Sequence, residues 1–140
     1  VKPSESSSLV TLMAAAPADF TVADTSNEKL SRTGGEFTLT LVPTEDILAG
    51  LAANRIDGQT VVGFAAQHGG DAIGRARQKL ERKGADMIVL NDVSDRTIGF
   101  DSDENAVTLV TGSGEREIPK APKTEIADRI LDRAVELRAG

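Results

Sequence analysis

Short apolar runs that alternate with a helix-like segment constrain the fold of this chain more than any other sequence feature. Residues 60–65 (TVVGFA) and 87–90 (MIVL) are runs of strand length, and a basic segment at 71–83 lies between them. Runs without polar alternation are typical of strands that are buried on both faces of a parallel sheet. Gly84 follows the basic segment at the position where a left-handed residue commonly ends a helix. The order strand, helix, strand therefore predicts an α/β fold.

The composition fits this architecture and excludes several kinds of chemistry. Apolar residues make up 39% of the 140 residues, and with four Phe and neither Trp nor Tyr the core is expected to be aliphatic. The absence of cysteine excludes a protein thiol as nucleophile or metal ligand. A net charge of -6 is unfavourable for binding nucleic acid, and no apolar run approaches the ~20 residues that span a bilayer. We therefore expect one cytoplasmic domain, or part of one, with neither a nucleic-acid nor a membrane partner.

The first half of the sequence is expected to contribute further elements of the same fold. Residues 9–15 predict a buried strand, and residues 37–42, which alternate apolar and polar, predict a half-buried one. Thr44 is predicted to cap a helix whose apolar positions begin at Ile47. Between the two strands, residues 17–35 are mostly small and polar, and loops of this length in compact domains are often functional.

The last third of the sequence changes character. Residues 106–110 and 115–118 flank the turn sequence TGSG, which predicts a β-hairpin that extends a sheet edge or a dimer interface. Residues 119–122 are expected to end the hairpin, and Lys123 or Thr124 to open a final helix. Its predicted apolar stripe consists of Ile126, Ile130, Leu131, Ala134 and Leu137. The elements together predict a Rossmann-like, mostly parallel sheet with flanking helices and a C-terminal β-hairpin extension.

Candidate ligand-binding residues follow the predicted strands, because open α/β sheets bind ligands beyond the carboxyl ends of their strands. Such residues occur at 15–20, 45–48, 63–66 and 91–92. In the long segment, Lys29 and Arg32 fit either cations that close over a phosphate or solvated loop charges. Residues 63–70 match neither a Walker loop nor the GxGxxG spacing, which disfavours a P-loop enzyme and an NAD-type dehydrogenase.

Each candidate residue could also have a purely structural role, and the sequence pattern alone does not decide between that role and ligand binding. Asp19 fits a contact to a hydroxyl or a metal, and it equally fits a cap or turn. Phe64 fits either a base contact or core packing. Lys79 and Lys83 share a helix face, which indicates an anion between them or simply a solvated face. His68 is the single histidine and has no evident partner, so we assign it no catalytic role.

Seven short segments occur in an order and spacing that are specific to one family. They are AAAPADF at 14–20, EKLSR at 28–32, DILA at 46–49, VGFAA at 62–66, KLERKGAD at 79–86, NDVS at 91–94 and GFDSDEN at 99–105. In these segments the chain resembles the phosphopantothenate-cysteine ligase family. That family is the C-terminal synthetase half of bifunctional flavoproteins of coenzyme A biosynthesis.

The resemblance implies a CTP-dependent ligation of 4′-phosphopantothenate with L-cysteine. The phosphopantothenate carboxylate attacks the α-phosphate of CTP, which gives an acyl cytidylate and pyrophosphate, and the cysteine amine then displaces CMP. Mg2+ is the implied counterion of the triphosphate, and a homodimer is the implied assembly. FMN is expected only in a fused or associated decarboxylase half that lies outside this sequence.

Carried over by position, the resemblance implies a single nucleotide site. Lys29 is the implied catalytic residue, which contacts the phosphates or the acyl cytidylate across a dimer. Asp19 is the implied contact to CTP and its metal. The implied nucleotide-binding residues are Met13, Ala14, Ala15, Asp19, Lys29, Glu45, Asp46, Ile47, Leu48, Phe64, Lys79 and Lys83.

Two departures and one absence set this chain apart from the family pattern. Ser31 and Arg32 stand where the family usually carries two further lysines, and Gln67 and His68 stand where Glu and Thr are common. The family's amino-terminal, Gly-rich strand-turn-helix does not occur in this sequence. We therefore expect residues 1–140 to be a partial ligase domain that keeps part of a CTP site and little or no ligase activity. The alternative is a non-catalytic nucleotide-binding or oligomerisation module on the same scaffold.

Overall fold

Strands and helices alternate through most of the chain, as the apolar runs predict. The computed structural model describes residues 9–25, 34–67, 69–92 and 103–139. In chain order the elements are β1 (Val10–Met13), β2 (Phe20–Val22), β3 (Leu41–Pro43), α1 (Ile47–Ala53), β4 (Thr60–Gln67), α2 (Ala72–Lys83), β5 (Met87–Asp92), β6 (Glu104–Thr111), β7 (Gly114–Pro122) and α3 (Lys123–Ala139). They belong to two units, one formed by residues 15–46 and the other by the rest of the chain.

The larger unit contains a five-stranded sheet with the strand order β1-β4-β5-β6-β7. Strands β1, β4 and β5 run parallel to one another, and the β6–β7 hairpin continues the sheet in antiparallel fashion. Parallel neighbours require crossover connections, which α1 and α2 provide here. The predicted α/β class, with a mostly parallel sheet and a C-terminal hairpin, is confirmed.

Helices cover both faces of this sheet and create two apolar layers. On one face, Ile126, Ile130 and Ala134 of α3 pack in a cluster of buried side chains with the sheet. On the other face, Leu48 of α1 and Leu80 of α2 belong to a second cluster. Because successive residues of a strand point to opposite faces, each central strand contributes to both layers. In the parts of the chain that the structure describes, no helix is long and apolar enough to cross a membrane.

Helix α2 begins and ends as its sequence predicts. The Asp71 carboxylate accepts a hydrogen bond from the backbone N–H of Gly74 at 2.9 Å, which caps the first turn. Gly84 ends the helix in the left-handed conformation with φ 66°. Both signals act within one helical turn, so the sequence alone is sufficient to encode them.

The C-terminal elements differ from the prediction at two points. Strand β7 continues through Pro119 to Pro122 instead of ending there, because an edge strand tolerates a residue that donates no ladder hydrogen bond. In α3, Leu131 is 45% exposed, whereas Ile130 is 7% exposed. Consecutive helical residues are rotated by about 100°, so Leu131 lies at the margin of the predicted stripe and is not buried. Farther along α3, a hydrogen bond from Arg133 lowers the pKa of Glu136.

Strand β1 is less buried than the sequence predicts. Among the described residues it pairs with β4 alone, so it lies at the edge of the sheet. Leu9 and Leu12 remain 46% and 40% exposed, respectively. The apolar run at 9–15 predicts a strand correctly, but an edge position leaves part of its surface uncovered.

The smaller unit, residues 15–46, contains an antiparallel ribbon of β2 and β3. The predicted half-buried strand at 37–42 was wrong, because the strand spans only Leu41–Pro43 and the side chains of Phe37 and Leu39 are exposed. Thr44 does not cap α1, which begins three residues later at Ile47. Its hydroxyl instead donates to the carbonyl of Ala18 at 2.5 Å.

Candidate functional site

Several of the predicted nucleotide-binding residues of the larger unit meet around Gly63 and Phe64 of β4. Met13, the last residue of β1, is the register partner of Gly63. The Leu48 side chain of α1 lies directly over Gly63. From α2, the ammonium group of Lys79 donates a hydrogen bond of 2.8 Å to the carbonyl of Phe64. Residues from four separate elements are thus brought to one position on the sheet.

These residues are divided between the two faces of the sheet. Met13 and Leu48 pack in the layer beneath α1 and α2. Phe64 packs in the layer beneath α3, and both Ala14 and Phe64 line a cavity there. The predicted contacts in the larger unit therefore belong to both layers of the sheet.

The cavity beneath α3 has a volume of about 360 Å³, which lies within the range of small-molecule sites. Its lining is mainly aliphatic, with polar groups from Asn91, Asn105 and Lys123. The Oδ1 atom of Asn91 is buried, and no described residue gives it a hydrogen bond. Buried polar atoms in folded proteins are almost always paired, so an unpaired acceptor in a cavity wall fits a ligand that donates a hydrogen bond.

Lys79 and Lys83 lie one helical turn apart on the same side of α2. Both side chains are half-buried, although the helix also carries well-exposed cations such as Arg82. Half-burial of a lysine is typical of a side chain whose aliphatic stem packs against apolar neighbours. The Lys79 ammonium donates one of its hydrogen bonds to the Phe64 carbonyl, which fixes it beside β4.

In the smaller unit, the chain brings Asp19 next to the segment that holds Glu45 and Asp46. The backbone N–H of Thr44 donates to the carbonyl of Asp19 at 3.0 Å, and Phe20 pairs with Pro43. The side chains of Asp19, Glu45 and Asp46 are all exposed. The described residues contain no group of three or more His, Cys, Asp or Glu that would hold a metal ion by itself. One or two carboxylates are nevertheless the usual protein contribution to a magnesium ion that is carried by phosphates, so the residues fit that role.

Some of the predicted residues fall outside the described ranges. Lys29, Arg32 and His68 are among them, as is most of the segment 99–105. Gln67, which with His68 replaces the Glu and Thr that are common in the family, lies within the described residues. Its side-chain carbonyl accepts a hydrogen bond of 2.9 Å from Arg75, and Arg75 also donates to the backbone carbonyl of Gly69. The Gln67 side chain therefore helps to hold the turn between β4 and α2.

Two residues of the site were not assigned a role from sequence. Asn91 is a polar residue directly after the apolar run 87–90, and that position in the sequence is the signal that could identify it. Gly63 belongs to the segment VGFAA, which by itself gives the glycine no separate role. The need for a glycine at position 63 comes from the close approach of the Leu48 side chain. No local sequence pattern predicts that contact.

Comparison with known proteins identifies what the chain is similar to. The family described as DNA/pantothenate metabolism flavoprotein C-terminal domain matches residues 1–137. A coenzyme A biosynthesis bifunctional protein CoaBC from Mycolicibacterium smegmatis is 40% identical over 133 residues, which cover 88% of this chain and 32% of that protein. A cysteine/cysteine sulfinic acid decarboxylase from an unknown prokaryotic organism is 39% identical over 129 residues, which cover 91% of this chain and 36% of that protein.

A solved structure agrees with the sequence comparison. The crystal structure of the C-terminal domain of a CoaBC protein superposes with a TM-score of 0.68 at 28% identity and covers 94% of this chain and 56% of the solved one. The chain spans about a third of the length of the curated relatives that it matches.

Proposed function

Because the chain belongs to the family of DNA/pantothenate metabolism flavoprotein C-terminal domains, we propose that it supplies the nucleotide-binding part of a ligase in coenzyme A biosynthesis. The ligase joins 4′-phosphopantothenate to L-cysteine and consumes CTP. The observation that carries this proposal is the meeting of Met13, Leu48, Phe64 and Lys79 around one position of β4. These four residues come from four separate segments of the sequence, and the resemblance implies each of them as a nucleotide contact.

The proposed reaction has two steps. In the first, a carboxylate oxygen of phosphopantothenate bonds to the α-phosphorus of CTP, and the bond to the departing pyrophosphate breaks. In the second, the cysteine amine attacks the acyl carbon, CMP leaves with the electron pair of the acyl–oxygen bond, and the nitrogen loses a proton. Both steps depend on charge neutralisation and alignment of the reactants, and neither requires a nucleophile from the protein.

Within this proposal, the residues of the larger unit bind and orient the nucleotide. Lys79 and Lys83 offset part of its negative charge from their shared side of α2. The unpaired Oδ1 of Asn91 accepts a hydrogen bond from the ligand. Phe64 and Ala14 supply apolar contact from the cavity wall. Backbone groups at Met13 and at Ile47 and Leu48 fix the remaining orientation.

The carboxylates of the smaller unit have a proposed role of their own. Asp19 would contact the magnesium ion that accompanies the triphosphate, and Glu45 and Asp46 would contact the nucleotide through their backbone and through the Asp46 carboxylate. When bound, that ion would neutralise charge on the phosphates and on the departing pyrophosphate. Lys29 remains the proposed catalytic cation, donated across a homodimer. A fused or associated flavin-dependent decarboxylase is the proposed partner, and the cytoplasm is the proposed location.

Calorimetric titration of the chain with CTP and Mg2+ tests the proposal directly. We expect CTP to bind with higher affinity than other nucleoside triphosphates, and each of Lys79→Ala and Lys83→Ala to weaken it about 10- to 100-fold. This range corresponds to the loss of a charged hydrogen bond of about 1.5–3 kcal/mol. The Arg82→Ala variant is the matched control, because it removes a positive charge from the exposed side of the same helix turn.

Three outcomes distinguish the proposal from its alternative. Equal weakening by Arg82→Ala would mean that only the net charge of α2 matters. Binding without preference for CTP would favour a non-catalytic nucleotide-binding or oligomerisation module on the same scaffold. The absence of any nucleotide binding by the folded chain would overturn the proposal.

A further inference from the structure

Gly63 occupies a place on β4 where a side chain has no room. A Cβ atom built on it would lie 2.5 Å from Leu48 Cδ2 and 3.0 Å from Ile88 Cδ1. Gly63 is not one of the glycines with positive φ, so its backbone conformation does not require glycine. The close approach of the neighbouring side chains is therefore the physical reason for a glycine at this position.

The missing side chain determines how deeply helix α1 sits on the sheet. Helix α1 spans only seven residues, and its buried side chains are Leu48 and Ala52. Ile47 and Leu51 are 46% and 37% exposed, so they provide little additional anchoring. The depth of the first turn consequently depends on the contact of Leu48 with the bare backbone of Gly63.

We propose that Gly63 is a positioning residue for the nucleotide, through the first turn of α1. The absence of a Cβ lets Leu48 rest on β4 and places the backbone of Ile47 and Leu48 at the depth that nucleotide binding requires. This inference rests on the proposed function, which assigns those backbone groups to CTP. It adds a residue that contacts no ligand and acts only through Leu48.

A double-mutant cycle on the two contacting residues tests this inference. In Gly63→Ala the new methyl group lifts Leu48 and the first turn. In Leu48→Ala the turn loses its anchor. We expect each single variant to weaken CTP binding about tenfold, since displacement of a binding group by about 1 Å has effects of this size or larger. In the double variant the methyl group occupies space that Leu48 has vacated, and we expect the affinity to return to within about threefold of wild type.

A matched control separates positioning from the general effect of an added methyl group. Gly50 lies within α1, and a Cβ built on it meets no atom within 4 Å. We expect Gly50→Ala to leave the CTP affinity unchanged. Thermal unfolding of every variant, with titration well below the transition, ensures that the affinities are those of folded protein. The amide NMR signals of Ile47 and Leu48 should shift in Gly63→Ala without nucleotide and shift back in the double variant.

The outcomes separate this inference from the proposed function. If the wild-type chain binds no CTP, the proposed function and the inference fall together. If it binds CTP and Gly63→Ala binds equally well, the inference alone is overturned. If Gly63→Ala does not fold, the comparison of Leu48→Ala with the double variant decides, and equal affinities of those two proteins would overturn the inference.

Discussion

Asn91 stands out at the scale of single residues because its buried Oδ1 has no hydrogen-bond partner among the described residues. Leaving such an atom unpaired costs about 1–3 kcal/mol of folding free energy. Asn105 lines the same cavity, but its Oδ1 accepts a hydrogen bond of 2.9 Å from the N–H of Ala106. The two asparagines therefore form a matched pair. The side-chain oxygen of Asn105 accepts a hydrogen bond from the protein, whereas that of Asn91 has no partner among the described residues.

We expect Asn91→Leu to leave the free energy of unfolding unchanged or to raise it by about 1 kcal/mol, because an unpaired buried acceptor is removed. The same variant should weaken CTP binding about tenfold, which corresponds to about 1.4 kcal/mol for a lost hydrogen bond to the ligand. Urea unfolding and calorimetric titration measure the two quantities.

Asn105→Leu is the control for this prediction, and it should lower the free energy of unfolding by about 1 kcal/mol through loss of its backbone contact. If both variants lose the same stability and neither changes CTP affinity, Asn91 has a purely structural role. A gain of stability together with a loss of affinity is the combination expected of a binding residue.

Helix α3 shows, at the scale of elements, how a single rotation along the helix decides burial. Ile130 is 7% exposed and belongs to the apolar layer between α3 and the sheet. Leu131 is the next residue and is 45% exposed. Both are large aliphatic residues in the same turn, so helix propensity and side-chain size are closely matched between them.

We expect Ile130→Ala to lower the free energy of unfolding by about 2–5 kcal/mol, because it removes a buried aliphatic group and leaves a cavity. Leu131→Ala should cost less than about 1 kcal/mol, since much of its surface already contacts water. Chemical unfolding monitored by circular dichroism measures both. Similar losses for the two variants would mean that Leu131 is covered in solution, for example by a partner chain.

Burial differs strongly between the two units at the scale of the whole molecule. The central strands of the larger unit, β4 and β5, carry fully buried residues such as Val61, Val62 and Ile88. In contrast, none of the described residues of the smaller unit, 15–46, is buried. An isolated two-stranded ribbon without a covered apolar face is only marginally stable in water.

We expect backbone amides of β2 and β3 to exchange with deuterium at least about 100-fold faster than those of β4 and β5. Local opening of a ribbon that lacks buried side chains costs much less free energy than opening of a covered central strand. Hydrogen exchange followed by mass spectrometry or NMR provides the measurement. Equal protection of the two sets would show that another surface covers the ribbon in solution.

Individual elements illustrate how much of the fold and the site the sequence predicts. Helix α2 was predicted over residues 71–83 with Gly84 at its end, and the structure confirms the helix and the left-handed Gly84. The segment 37–42 was predicted as a half-buried strand, and most of it is neither strand nor buried. The implied contacts Met13, Leu48, Phe64 and Lys79 were drawn from a resemblance, and their roles in binding remain predictions.

By itself, the sequence determined the order of strands and helices in the larger unit, the ends of α2 and the membership of the family, whereas strand β2 lies in a segment that was predicted as a loop. These features depend on interactions within a few residues, such as helix caps and left-handed glycines, or on ordered motifs. Only the tertiary structure decided that β1 lies at a sheet edge, that Leu131 is 45% exposed and that Leu48 rests on Gly63. The physical reason is that burial and close approach depend on segments that are distant in the chain, which local periodicity does not specify.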